Sequence, residues 1–147
     1  VIGAYFDSGV LVKAYCREIN SAEAITLILS EDVPLPLTLF QEIEIRNALR
    51  LKVFRREMTN ASLQGGLSLL DDDIRAGRLE RPLYDMAAIY RNTEKLSGRY
   101  AVTTGARTLD ILHVAAALEI KAIRFVSFDE RQRIVARKAG LKVLPKS

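Results

Sequence analysis

Short apolar runs alternate along this chain with longer stretches in which apolar residues return every three or four positions, a pattern that predicts strands separated by helices. Val1 to Phe6 is an apolar and aromatic run closed by Asp7-Ser8-Gly9, as in a buried strand that ends in a turn. Ser8 is placed to cap a helix over Gly9 to Cys16, and Asn20 or Ser21 to cap a second one carrying Ala24, Ile25, Leu27, Ile28 and Leu29. Pro34 to Thr38 is too rich in proline for a fully paired central strand and reads as a short strand leading into a helix. That helix is expected from Leu39 to Arg56, with Ile43, Asn47, Leu51 and Phe54 recurring on one side and arginines on the other.

A further helix follows the capping residue Asn60, carries Leu63, Leu67 and Leu70 towards Arg75, and stops at Gly77. The Asp71-Asp72-Asp73 triplet near its end reads as solvated surface, because neighbouring helix residues point about 100° apart and do not share a face. Arg78 to Leu83 suggests a short strand. A helix over Asp85 to Leu96 should then break at Ser97-Gly98, with a turn at Thr103-Thr104-Gly105. A helix from Asp110 to Glu119, a strand from Ile123 to Phe128, a basic helix from Glu130 to Ala139 ended by Gly140, and a strand from Leu141 to Leu144 complete the order. Strands separated by helices pair in parallel, so the expected class is α/β: one domain over 1–147, a sandwich with helices on both faces of the sheet. Ligands of such sheets gather beyond the carboxyl ends of the strands.

Composition narrows the chemistry. With one Cys and one His in 147 residues, a four-ligand structural zinc site and a disulfide scaffold are excluded. A Ser-His or Cys-His hydrolase would have to recruit His113, so metal chemistry here calls for carboxylates and a hard ion, Mg²⁺ or Mn²⁺. No apolar run reaches the ~20 residues of a membrane span, and the first residues lack a signal-peptide pattern. A cytoplasmic protein that has lost only an initiator Met before Val1 is therefore expected. The net charge of +4 hides a polarity, since residues 121 to 147 carry +6 and the remainder −2. Arg46, Arg50, Lys52, Arg55 and Arg56 form a second basic cluster, and the two together suit a polyanionic partner as well as solvated helix faces.

Four acids stand out against this background. Asp7 follows the first strand and Asp129 follows Ile123 to Phe128, which places both at one edge of a parallel sheet. Asp110 and Glu44 lie among apolar helix residues, where a bare carboxylate is costly. Each has a structural explanation by itself, as a cap, a dipole partner or half of an ion pair. Convergence in one pocket would imply a cation, because two carboxylates about 4 Å apart repel by roughly 4 kcal/mol at an effective dielectric near 20.

The segments Tyr5-Phe6-Asp7-Ser8-Gly9-Val10-Leu11-Val12-Lys13, Glu44-Ile45-Arg46-Asn47-Ala48-Leu49, Arg107-Thr108-Leu109-Asp110-Ile111-Leu112-His113-Val114-Ala115 and Phe125-Val126-Ser127-Phe128-Asp129 closely resemble the successive motifs of PIN-domain ribonucleases. The length is that of the VapC-type toxins of type II toxin–antitoxin pairs. The resemblance implies a three-layer α/β/α sandwich with a short, mostly parallel sheet. It also implies a Mg²⁺- or Mn²⁺-dependent endoribonuclease in which Asp7, Glu44, Asp110 and Asp129 hold the metal. Ser8 and Ser127 match the hydroxyl residues that support such a site, whereas Gly9 stands where the family usually has Ser or Asn. Glu42 competes with Glu44, and the Asn-Ala-Leu that follows decides for Glu44. Arg46, Arg50, Arg131 and Arg133 lie just beyond acids and are candidates for positioning RNA phosphates.

The same resemblance implies an RNA substrate, a cognate antitoxin and a homodimer, and the lack of a long apolar run leaves no membrane partner expected. Leu39, Ile43 and Phe54 with Leu63, Leu67 and Leu70 can supply a dimer face and an antitoxin groove, although core packing accounts for most of them. His113 is expected to face the core or to stand behind the acids, Cys16 to be a small buried residue, and Tyr5, Phe6, Phe125 and Phe128 to be core. The alternative function is a catalytically silent PIN-like module that binds RNA or protein. A phosphotransfer enzyme is disfavoured, because no second Asp follows Asp7 two residues on.

Overall fold

The computed structural model describes residues 2–146. Its elements run β1 Ala4–Phe6, α1 Ser8–Leu11, α2 Ser21–Leu29, β2 Leu35–Pro36, α3 Leu39–Phe54, α4 Asn60–Arg75, β3 Leu79–Glu80, α5 Met86–Thr104, α6 Thr108–Glu119, β4 Arg124–Val126, α7 Glu130–Lys138 and β5 Lys142–Leu144. The class is α/β with short parallel strands, as the alternation predicts. The chain divides into two compact units, one of Val1–Asp7 with Pro82–Ser147 and the other of Ser8–Arg81.

The first unit is built on a parallel sheet in the order β1-β4-β5. Tyr5, Phe6, Phe125 and Val126 are buried in it, and the Tyr5 and Phe125 rings stack with centroids 5.6 Å apart. Phe128, beyond the end of β4, is only half-buried. Helix α6 is buried over Ile111 to Ala117, so its sequence is apolar almost all round rather than along one stripe. It packs against α5 and α7. The break expected at Ser97-Gly98 does not occur: α5 continues to Thr104. A glycine in an exposed helix interior weakens the helix by about 1 kcal/mol relative to alanine, which the flanking buried residues Ile89, Thr93 and Leu96 outweigh. The helix ends instead at Gly105, whose φ of 70° is the left-handed conformation of a helix cap.

The second unit pairs β2 with β3 in parallel and surrounds the pair with helices. The helix expected from Gly9 to Cys16 is a single α-turn, α1, followed by a 3₁₀ turn over Val12–Ala14. Cys16 is half-buried rather than buried, and its thiol lies 3.4 Å from the Val12 carbonyl. Helix α2 starts at Ser21, while Asn20 takes a φ of 67° and makes no side-chain cap. Helix α4 is capped by Thr59 rather than Asn60. A β-carbon on Gly66 of α4 would lie 2.6 Å from the Tyr15 carbonyl oxygen, so only glycine allows that approach.

Helix α3 is started by a capping box, in which the Thr38 hydroxyl accepts from the Gln41 N–H and the Gln41 side chain accepts from the Thr38 N–H. Its buried face carries Gln41, Glu42, Ile45 and Leu49, whereas Leu39, Ile43 and Phe54 are exposed. Counting apolar residues points to the other side because two of the inward positions are polar residues with partners. Leu63 and Leu70 are core, and Leu67 is half-buried. The aspartate triplet is less solvated than expected. Asp71 pairs with Arg46, Asp72 with Arg75, and Asp73 accepts from the Tyr15 hydroxyl and from Arg78. Burial, and then that bond to Asp73, hold the Tyr15 phenol far above its ordinary pKa.

Candidate active site

Three of the four sequence-selected acids belong to the first unit. Strand β1 ends at Phe6, and the N–H of Asp7 donates to the Val126 carbonyl at 2.9 Å, extending the ladder by one residue. Asp7 therefore stands at the carboxyl edge of β1 beside the end of β4. Two residues past Ser127, Asp129 turns the chain into α7. Its N–H donates to the Ser127 hydroxyl at 3.0 Å, and its carboxylate caps the helix by accepting from the Gln132 N–H at 3.0 Å. Parallel pairing thus puts Asp7 and Asp129 at one sheet edge.

Asp110 lies in the first turn of α6. Its Oδ2 accepts from the Arg107 N–H at 3.0 Å and from the Arg107 Nε at 3.4 Å. The guanidinium also reaches Asp129, at 4.0 Å. Arg107 is a cation shared by two acids, yet its side chain is 73% exposed, so water screens both pairs. It belongs to a quoted motif but is not among the residues singled out by sequence. The available signal is a basic residue three positions before an acid at a helix start.

Behind the acids stand His113 and Gln132. His113 is buried, with its Nδ1 2.7 Å from the Tyr5 hydroxyl and its Nε2 3.8 Å from Asp7 Oδ1. When Tyr5 is the donor, the neutral ring carries its proton on Nε2, the nitrogen nearer Asp7. The Gln132 amide donates from Nε2 to Asp7 Oδ1 at 3.4 Å and to the Asp110 carbonyl at 3.3 Å. Its Oε1 is buried with no partner among the described residues. No sequence signal marks Gln132, which sits among arginines in a basic helix.

In the second unit, Glu44 is half-buried and accepts from the Ser8 hydroxyl at 3.0 Å. Ser8 lies inside α1 and bonds Glu44 rather than capping a helix, and it follows Asp7 directly in the chain. Glu42 is buried and is gripped by Arg81 through both oxygens. Among the arginines expected to meet phosphate, Arg50 and Arg131 are exposed. Arg46 is drawn to Asp71 at 2.7 Å and to Glu42 at 3.8 Å. Arg133 departs from the expectation, because its guanidinium is buried and donates to the Ser127 and Pro145 carbonyls at 2.8 and 2.6 Å. Those bonds tie the end of β4 to the chain beyond β5, so Arg133 serves the fold.

Among the described residues, no three Asp, Glu, His or Cys side chains are gathered closely enough to hold a metal ion as they stand. Asp7, Asp110 and Asp129 are linked through Gln132 and Arg107 instead. Their donor chemistry nevertheless fits a hard divalent ion, being entirely carboxylate oxygen.

Two solved structures share this fold. The crystal structure of FitAcB from Neisseria gonorrhoeae matches with a TM-score of 0.61 and 17% identity, covering 97% of this chain and 96% of that one. The crystal structure of PAE2754 from Pyrobaculum aerophilum matches with a TM-score of 0.56 and 16% identity, covering 97% and 84%. The fold is PIN-like. No protein-family model matches the sequence, and no curated protein is similar enough to count as a match. No helix among the described residues is long and apolar enough to cross a membrane.

Proposed function

We propose that this protein is a Mg²⁺- or Mn²⁺-dependent endoribonuclease that hydrolyses RNA phosphodiester bonds and acts as the toxin of a type II toxin–antitoxin pair. One observation supports this most: in a PIN-like fold, Asp7, Asp110 and Asp129 come from three elements of one unit and are all bonded to the same residue, Gln132. Glu44, oriented by Ser8, is the fourth acid that the motif resemblance supplies.

A bound cation would neutralise the carboxylates that hold it and supply a water of lowered pKa as nucleophile. Asp7, Asp110 and Asp129 would hold it through their carboxylates. Gln132 orients the Asp7 carboxylate, beside which His113 lies, and Ser127 fixes the main chain that presents Asp129. Arg107 and Arg131, both exposed, position the RNA backbone. The likeness of fold to FitAcB supports an antitoxin partner, and exposed Leu39, Ile43 and Phe54 on α3 suit a homodimer.

The test is cleavage of RNA by the purified protein with Mg²⁺ or Mn²⁺ and with chelator, alongside Asp7→Asn and Asp110→Asn. Cleavage should need the metal and fall in either variant by at least about a hundredfold, the upper end of what losing a mere supporting partner of a metal ligand costs. Metal-independent or unaltered cleavage overturns the proposal. RNA binding without any cleavage marks a silent PIN-like binding module instead.

A further inference from the structure

Gln132 touches all three sequence-selected acids of the first unit, Asp129 through its main chain and Asp7 and the Asp110 carbonyl through its side chain. Its main-chain N–H donates to Asp129 Oδ1, its side-chain Nε2 donates to Asp7 Oδ1, and the same nitrogen donates to the main-chain carbonyl of Asp110. The side chain is 1% exposed, and its Oε1 has no partner among the described residues.

The orientation of this amide follows from its surroundings. Both side-chain partners are acceptors, so the NH₂ end must face them, and rotating the amide would set Oε1 against two oxygens. The carbonyl end is consequently left buried and unpaired, an arrangement that protein interiors disfavour. Packing alone does not account for it, because an aliphatic side chain of the same length fills the space with no polar atom to satisfy. The two N–H contacts are also long, at 3.4 and 3.3 Å. The amide spans a gap between Asp7 and the first turn of α6, rather than completing a tight local bond.

We propose that Gln132 is a positioning residue, whose side chain sets the spacing between Asp7 and the first turn of α6, where Asp110 lies, for a divalent cation. It acts through the carboxylates and does not meet the reacting atoms. This inference rests on the metal-dependent nuclease reading above and adds a residue that the motif resemblance does not name.

The experiment is Mn²⁺ binding by calorimetry to the full chain, without RNA, for the native sequence, Gln132→Met and Asp7→Asn, with thermal unfolding of each. Methionine keeps the length and removes both the donors and the orphaned oxygen. The expected result is Mn²⁺ affinity weakened about tenfold or more in Gln132→Met, the scale seen when groups orienting metal ligands are lost, with Tm unchanged or raised. Unchanged affinity in a folded Gln132→Met overturns the inference and leaves the nuclease reading standing. If the native chain binds no Mn²⁺, both fall. Should the methionine variant fail to fold, the side-chain NH₂ resonances of Gln132 in the native protein decide. They should shift on titration with Mg²⁺ and stay still in Asp7→Asn, and a native signal indifferent to Mg²⁺ overturns the inference.

Discussion

Arg81 holds Glu42 with two parallel hydrogen bonds, Nε to Oε2 and the terminal nitrogen to Oε1, each 2.8 Å long. This pair gives a structural duty to Glu42, the acid that the motif resemblance sets aside in favour of Glu44. Glu42 and Glu44 are two residues apart and so about 200° apart around α3. The first is buried and paired, and the second is half-buried against the Ser8 hydroxyl. Glu42→Gln should therefore lower Tm by several degrees and leave cleavage per folded molecule intact. Glu44→Gln should do the reverse. Thermal unfolding and RNA cleavage measured on both variants check the assignment, and a Glu42→Gln protein that is folded but inactive contradicts it.

Asp110 has a structural duty besides its proposed chemistry, because its carboxylate accepts from the N–H of Arg107 at the start of α6. Asparagine keeps an acceptor there and alanine does not. Asp110→Ala should cost about 1 kcal/mol of stability, the usual worth of such a cap, and Asp110→Asn clearly less. Both should lose metal-dependent cleavage. Equilibrium unfolding in denaturant separates the two effects.

The extent to which the sequence was legible follows from the kind of signal each residue carries. Strands ending in acids, and an acid in the first turn of an apolar helix, are local patterns, so the places of Asp7, Asp110 and Asp129 in the fold could be read directly. The inward face of α3 could not, since Gln41 and Glu42 are buried only because a capping box and Arg81 satisfy them. Those partners are invisible to an apolar count. Arg133 misleads for the same reason: a basic residue after an acid suggests phosphate, while its bonds run to the Ser127 and Pro145 carbonyls. Gln132 has neither an apolar pattern nor a charge, and only three-dimensional placement reveals it.

Two glycines should respond in opposite directions. Gly98 lies inside α5 with open space where a β-carbon would go, so Gly98→Ala should stabilise the protein by about 0.5–1 kcal/mol. Gly66 has the Tyr15 carbonyl 2.6 Å from that position, so Gly66→Ala should destabilise it by about 1–3 kcal/mol through forced backbone shifts. Thermal unfolding reads both. A destabilising Gly98→Ala would show that the helix does break there.

Glu18 lies between Lys13 and Lys52. Burial pushes its pKa up, but hydrogen bonds from Lys52 and Lys13 outweigh this and hold it below the ordinary glutamate value. A folded pKa below the unfolded one gives stability that is present above the unfolded value near 4.3 and is lost as pH falls through the folded value. Lys52 is raised, first by its hydrogen bond to Glu18, so its share is present below an unfolded value near 10.4 and is lost as pH rises through the folded one. The Glu18→Gln variant should show a smaller fall in Tm at both extremes than the native chain. Melting curves from pH 3 to 11, about the span of these ordinary values, test this, and parallel curves would refute it.

Arg107 tests whether the acids and the basic surface work together. Its guanidinium leans on Asp110 and Asp129 but is mostly in water, so it is available to a phosphate and is also a competitor for any cation the acids hold. Arg107→Gln removes both roles. RNA affinity should fall and the slope of its logarithm against log salt should shrink by about 1, as for the loss of one phosphate contact. Mn²⁺ affinity should hold or rise, because the carboxylates lose a resident positive neighbour. Salt-dependent RNA binding and Mn²⁺ calorimetry on this variant give the two readings. Weakened Mn²⁺ binding would mean that Arg107 holds Asp110 in place for the metal and does not compete with it.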